Sequence, residues 1–160
     1  MPTLHRNAVA LALGLAFSLG ALAQGMSRDE YKADKEKIEA TYKSAKAACD
    51  SMSGNQKDIC VAQAKGEEKV GKAELEARYK PSEKNTYDAR VARAEADYEV
   101  AKEKCDDQSG NAKDACQKEA KAKEASAKAE AKTQMKSARS GGRTGDTGQG
   151  RSGTMDQGPR

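Results

Sequence analysis

The chain repeats itself after 56 residues, and this duplication limits the folds that are open to it. Residues 31–77 and 87–133 align without a gap and share 21 identities in 47 positions. The most similar stretch is CDSMSGNQKDIC at 49–60, against CDDQSGNAKDAC at 105–116. Matching cysteines, tyrosines and Ser-Gly-Asn do not arise by chance in low-complexity Ala/Lys/Glu sequence. The duplication therefore indicates two copies of one supersecondary unit.

The first copy has the pattern of a helical hairpin. Ser27 and Glu30 form a capping-box pattern where the first helix should begin. Apolar or small residues then recur at helical spacing: Tyr31, Ile38, Tyr42, Ala45, Cys49 and Met52. Gly54 is suited to the left-handed conformation that ends a helix, and Asn55 is predicted to cap the next one. Pro81 should stop that second helix, because proline lacks the amide donor.

The second copy repeats this pattern from about Ser82, with the same phase at Tyr87, Val91, Ala94, Tyr98, Ala101 and Cys105. The expected organisation is a signal peptide at 1–23, one hairpin at 24–81, a second at 82–139 and a disordered Gly/Arg-rich tail at 140–160. The predicted fold class is all-α, with two long antiparallel hairpins forming a coiled coil or a loose four-helix arrangement. Whether the hairpins lie side by side or end to end stays open.

The amino terminus is typical of a secretion signal. Arg6 precedes an apolar run at 8–19, and Ala21-Leu22-Ala23 supplies small residues beside a cleavage site between Ala23 and Gln24. The apolar run is shorter than the roughly 20 residues that a membrane-spanning helix needs. Cleavage would also remove His5, the only histidine of the chain.

Apolar residues are too scarce after the signal for a large globular enzyme. The large aliphatic residues there are Ile38, Ile59, Val61, Val70, Leu75, Val91 and Val100. The exported chain would also have no histidine for acid–base chemistry near neutral pH. Acidic pairs such as Glu67-Glu68 and Asp106-Asp107 are interpreted as solvated surface, since no apolar pocket is available to shift the pKa values of their carboxyls. We therefore expect no enzymatic activity, no catalytic residue and no cofactor.

Four cysteines in an exported chain favour disulfides. A unit that is copied whole should carry its own bond, so Cys49 should pair with Cys60 and Cys105 with Cys116. Two alternatives stay open. A four-thiolate zinc site usually has ligands two to four residues apart, which the ten intervening residues fit badly, and a redox-active pair would more often be C-x-x-C.

The last predicted helix is basic. Residues 117–139 hold seven basic and three acidic side chains. Six cations share one helical stripe and are the candidate polyanion-binding residues: Lys118, Lys121, Lys128, Lys132, Lys136 and Arg139. The stripe is either a solvated face or a site for an anionic partner. Export disfavours nucleic acid as that partner and favours an envelope protein or an anionic envelope surface.

Several motifs resemble those of a known group of proteins. D-E-Y-K at 29–32, Y-K-x-x-K-x-x-C-D at 42–50, S-G-N-x-K-D-x-C at 53–60 and A-R-Y-K-P at 77–81 are similar to small exported Gram-negative proteins labelled TolA-like or cell-envelope biogenesis proteins. The Ala/Lys/Glu segments also resemble the stalk of TolA in composition. The resemblance implies a helical, periplasmic protein of the cell envelope.

These observations together predict a non-enzymatic, periplasmic structural or interaction protein, peripheral to the outer membrane and without an integral span once the signal is removed. The alternative is a periplasmic stress or chaperone-like protein whose weakly amphipathic helices shield unfolded clients. A periplasmic metal-binding protein is a third interpretation, and it would require free thiols.

Overall fold

A computed structural model describes residues 25–141, so the predicted signal peptide and nearly all of the predicted tail lie outside the described residues. All regular structure within 25–141 is helical, which confirms the all-α prediction. The helices are α1 (Arg28–Cys49), α2 (Gly54–Tyr79), α3 (Glu83–Cys105) and α4 (Gly110–Gly141). They form two antiparallel hairpins, α1–α2 and α3–α4, as the duplication predicts.

Local signals set the helix ends. The Ser27 hydroxyl accepts a bond from the Glu30 amide at 3.2 Å, and the Ser27 amide donates to the Glu30 carboxylate at 2.7 Å, which confirms the capping box. Ser82 caps α3 in a similar way, by accepting from the Asn85 amide at 3.0 Å. Gly54 and Gly110 have φ values of 56° and 57°, the left-handed region that glycine adopts without a steric penalty.

Three sequence predictions near the first turn were wrong. Gly54 does not end α1, which already ends at Cys49, and is instead the first residue of α2. Met52 lies after the end of α1 and is 44% exposed, so it does not continue the apolar stripe. Asn55 does not cap α2: its side-chain amide donates instead to the Glu103 carbonyl and to the Asp107 carboxylate of the second hairpin, both at 2.8 Å. The end of α3 lies beside the start of α2, so the Glu103 carbonyl, which also accepts from the Asp106 amide at 3.1 Å, is within reach of the Asn55 side chain.

The two hairpins lie side by side in one open layer. Each helix packs against its neighbours in the chain, and the most extensive interface joins α2 to α3, which belong to different repeats. Within residues 25–141 no close backbone approach joins α1 to α3 or α4, or α2 to α4. The outer faces of α1 and α4 are therefore the two edges of the layer.

The core of this layer is narrow. Its largest fully buried side chains are Leu75, Cys49 and Cys105, and most of the remaining buried residues are alanines. Gly66 marks a close approach of α2 to α3, because a Cβ atom added there would lie 2.9 Å from the Cβ of Ala96. Small residues thus permit α2 and α3 to approach closely, in place of a large apolar interior.

Candidate functional site

The four cysteines form two disulfides with the predicted pairing. Cys49 bonds Cys60 and Cys105 bonds Cys116, and in both pairs the Cα atoms lie 5.6 Å apart. Each bond joins the two helices of one hairpin close to its turn. The sulfurs are therefore not available as zinc ligands, and no group of three or more metal-binding side chains occurs within residues 25–141.

The duplication also produces one charge cluster in each hairpin. In the first hairpin the Lys72 ammonium lies 2.7 Å from a Glu68 oxygen and 3.6 Å from a Glu39 oxygen. In the second hairpin Lys128 lies 2.7 Å from both Glu124 and Glu95. Lys128 is the residue that follows Lys72 by 56 positions, and its partners are related in the same way. Both lysines therefore tie the two helices of their own hairpin together.

Lys128 belongs more to this structural cluster than to a free binding surface. Hydrogen bonds to Glu124 and Glu95 raise its pKa to about 12. Hydrogen bonds from Lys128 and then Lys69 lower the pKa of the Glu95 carboxyl. Glu95 on α3 thus joins α2 and α4 through two lysines. Sequence reasoning did not identify Glu95, although the match of Glu39, Glu68 and Lys72 between the repeats was a signal for it.

The six predicted polyanion-binding residues fall into two groups in the structure. Lys128 pairs with Glu95 and Glu124, and Arg139 pairs with Glu83 at 3.2 Å, so both hold α4 against α3. The other four are exposed, and within residues 25–141 none of them lies within 4.0 Å of a carboxylate oxygen: Lys118, Lys121, Lys132 and Lys136. We call these four the basic stripe.

The basic stripe lies on one continuous helix. At 3.6 residues per turn, its four lysines fall within an arc of about 60° around α4. The arc is centred about 120° from the buried Ala120 and Ala131, which mark the face that packs on α3, so it lies toward the outer face of α4. Four cations on one side of an edge helix form a linear array of positive charge. Such an array suits an extended anionic surface better than a single small ligand.

Two shallow grooves also recur between the repeats. One lies between α1 and α2 and includes Ile38, Tyr42 and Ala64, and the other lies between α3 and α4 and includes Ala94, Tyr98 and Ala120. These six residues match pairwise at a spacing of 56. The tyrosines are half-buried, so they mainly complete the packing of each hairpin.

No protein-family model, no curated protein and no solved structure matches this chain. Within residues 25–141 no helix combines the length and hydropathy that crossing a membrane requires.

Proposed function

We propose that this chain is a non-enzymatic, exported cell-envelope protein that binds an anionic envelope component through the basic stripe of α4. The observation that carries the proposal is the exposure of Lys118, Lys121, Lys132 and Lys136 on one helical arc without carboxylate partners in the described chain. The resemblance to TolA-like envelope proteins supports the same location and class of function.

The expected binding is electrostatic and reversible. A lysine close to an anionic membrane surface contributes about 1 kcal/mol to binding. Salt screens such contributions, since the Debye length is about 8 Å at physiological ionic strength. The neighbouring exposed residues of α4 include Ala122, Ala125 and Ala129, which bury too little apolar area to insert between lipid chains. We therefore propose attachment at the surface of the envelope.

Export is supported by two independent features. Residues 1–23 have the pattern of a signal peptide, and two disulfides are typical of proteins that fold in an oxidising compartment. We predict that the protein recovered from the periplasm begins at Gln24, because Ala21-Leu22-Ala23 offers the small residues that the cleavage enzyme accepts. Intact-mass spectrometry of periplasmic material measures this directly. A full-length mass would contradict cleavage and would point to a retained amino-terminal anchor.

Binding by the basic stripe is testable with neutralised variants. We expect the oxidised protein to co-sediment with vesicles of anionic phospholipid at low salt and to dissociate at high salt. Changing all four lysines of the stripe to glutamine should weaken binding at least tenfold, since about 1 kcal/mol is lost per lysine. A truncation after Cys116 is less suitable, because it removes most of α4 and uncovers α3. Sedimentation with outer-membrane fragments then shows whether native envelope material is bound as well.

A matched control removes the same charge from another helix. Lys32, Lys35, Lys43 and Lys46 are exposed on α1, and within residues 25–141 they have no carboxylate within ion-pair distance. Changing these four to glutamine lowers the net charge equally but leaves α4 intact. The control should bind at least fivefold more tightly than the stripe variant. These four lysines also fall within an arc of about 80° around α1, so equal loss in both variants would mean that binding is not specific to α4, and the basic stripe would then be an ordinary solvated face.

The alternative function is a chaperone-like periplasmic protein that uses the repeated tyrosine grooves. The exposed side chains of the described chain are mainly lysine, glutamate and alanine, which favours ionic recognition over the capture of apolar segments. Aggregation of a reduced model substrate distinguishes the two functions. If the variant with glutamines in the basic stripe suppresses this aggregation as strongly as the unaltered protein does, the chaperone function is favoured.

A further inference from the structure

The interface between α2 and α3 has counterparts at both edges of the layer. Because of the duplication, α4 is the copy of α2 and α1 is the copy of α3. The α2 face that packs on α3 therefore corresponds to the outer face of α4. The α3 face that packs on α2 corresponds to the outer face of α1. Within residues 25–141 no other helix covers either outer face.

The small residues that permit close packing of α2 on α3 are alanines at both edges. Gly66 lies against Ala96, and antiparallel packing places the part-buried Ala73 opposite Ala89, seven residues away. The counterparts on α4 are Ala122 and Ala129, and those on α1 are Ala40 and Ala33. All four of these alanines are exposed. Ala122 carries the Cβ atom that Gly66 lacks, and a Cβ atom at position 66 would lie only 2.9 Å from the Cβ of Ala96. The two edges therefore have small side chains, but they must lie slightly farther apart than α2 and α3 do.

The polar contacts of the internal interface also have counterparts. Glu74 on α2 pairs with Arg93 on α3, and the matching residues are Glu130 on α4 and Lys37 on α1. Within residues 25–141 neither Glu130 nor Lys37 has an oppositely charged group within ion-pair distance. This one pair of edge charges is therefore complementary: the acidic residue lies on α4, the copy of α2, and the basic residue lies on α1, the copy of α3.

One hydrogen bond of the internal interface also has counterpart positions at the two edges, 56 residues away. Asn55 donates to the Glu103 carbonyl across the internal interface. Its counterpart Asn111 is exposed at the start of α4, and the carbonyl in the matching place on α1 is that of Ala47. A main-chain carbonyl is present whatever the side chain, so this contact survives the change from Glu103 to Ala47.

We infer that the outer face of α4 in one copy of this chain docks antiparallel on the outer face of α1 in a second copy, in the register of the α2–α3 contact but at a slightly larger helix separation. The occupant of each edge is thus another copy. Repeat proteins usually need three or more units to bury a continuous core, and this chain supplies two. Association would extend the layer by two helices for each added copy.

The contact between copies is weaker than the internal one. Val70 and Val100 line the internal interface, and their counterparts are Ser126 and Ser44. The internal Lys69–Glu95 pair has no counterpart either, because alanine occupies position 125. We expect a dissociation constant on the order of 0.1 mM, as for small interfaces with little apolar area. Because the two edges differ, association is head to tail and continues into short linear assemblies.

A charge exchange tests the inference. Sedimentation equilibrium of the oxidised protein at low salt, from about 1 µM to about 1 mM, should show a weight-average mass that rises with concentration. Glu130→Lys and Lys37→Glu each place like charges opposite one another, so each should raise the dissociation constant about fivefold or more. The double variant restores an opposite pair and should recover most of the lost association. Circular dichroism confirms that each variant keeps its helices.

Matched controls change the same charges away from the edges. Glu67→Lys and Lys65→Glu lie on α2, at exposed positions without an ion pair in the described chain, and should leave association unchanged. A monomer at every concentration would overturn the inference. So would association that the exchange neither weakens nor restores. The basic stripe borders this docking face, since Lys118 and Lys121 correspond to Ala62 and Lys65, which line the groove between α2 and α3. Vesicle binding is therefore measured at micromolar concentration, where copies do not associate, so that the two results stay distinguishable.

Discussion

Removing the first disulfide should lower the free energy of unfolding by about 3 kcal/mol. Closing a 12-residue ring restricts the unfolded chain by roughly this amount, and the bond joins Cys49 to Cys60 beside the first turn. Small domains have stabilities of about 5–15 kcal/mol, so the loss is a large fraction of the total. We expect Cys49→Ala with Cys60→Ala to reduce the urea midpoint strongly, as measured by circular dichroism.

The second disulfide should have an even larger structural effect. Its ring has the same length, but the second hairpin has less apolar support, because Leu75 corresponds to Ala131 and Ile38 to Ala94. We expect Cys105→Ala with Cys116→Ala to lose part of its helix content before denaturant is added. An exposed double change at the first turn, Met52→Ala with Gln56→Ala, is the control and should cost less than about 0.5 kcal/mol. Losses below about 1 kcal/mol for both disulfides would show that the hairpins do not depend on them.

Replacing Gly66 by valine should push the two hairpins apart and lower the free energy of unfolding by about 1–3 kcal/mol. Gly66→Val adds a Cβ atom 2.9 Å from the Cβ of Ala96, and that atom cannot rotate away because it is bonded to the main chain. Overpacking of this kind usually costs about 1–3 kcal/mol. Valine and glycine differ by less than about 0.5 kcal/mol in helix propensity. The loss of stability therefore measures mainly the steric contact with Ala96. Denaturant unfolding measures it.

The duplication provides the control for this variant. Ala122 is the counterpart of Gly66 on α4 and is exposed in the single chain. At micromolar concentration, where copies do not associate, Ala122→Val should cost only the difference in helix propensity, about 0.6 kcal/mol. If Gly66→Val costs no more than Ala122→Val, then α2 and α3 do not approach as closely as the structure indicates.

Features that depend on local sequence were predictable. The capping box at Ser27, the left-handed glycine at position 54 and the stop before Pro81 each depend on residues within one turn of the chain. The disulfide pairing was predictable for a related reason, since the duplication restricted three possible pairings to one. The hairpins follow from these signals without knowledge of distant contacts.

Features that depend on contacts between helices were not predictable in the same way. Asn55 is of a residue type that favours helix caps, but the Glu103 carbonyl to which it donates lies beside it only because the two hairpins pack side by side. Lys128 and Lys132 lie four residues apart on one helical arc, yet only Lys128 faces Glu95. Charge patterning along one helix identifies cations, whereas the neighbouring helix decides which of them stay free. For that reason the structure leaves only four of the six predicted polyanion-binding residues without a carboxylate partner within residues 25–141.

The distance between α1 and α4 tests the central claim most directly, because both proposals require these helices to lie at opposite edges. Spin labels attached without cysteine chemistry at Ala40 and Ala129, diluted into unlabelled protein, report that distance by pulsed electron resonance. Neighbouring helix axes lie about 8–10 Å apart, so three spacings place the axes about 24–30 Å apart, and outward-facing labels should be more than about 30 Å apart. A distance below about 20 Å would mean that α1 and α4 pack together in a closed bundle, and neither helix would then present a free edge.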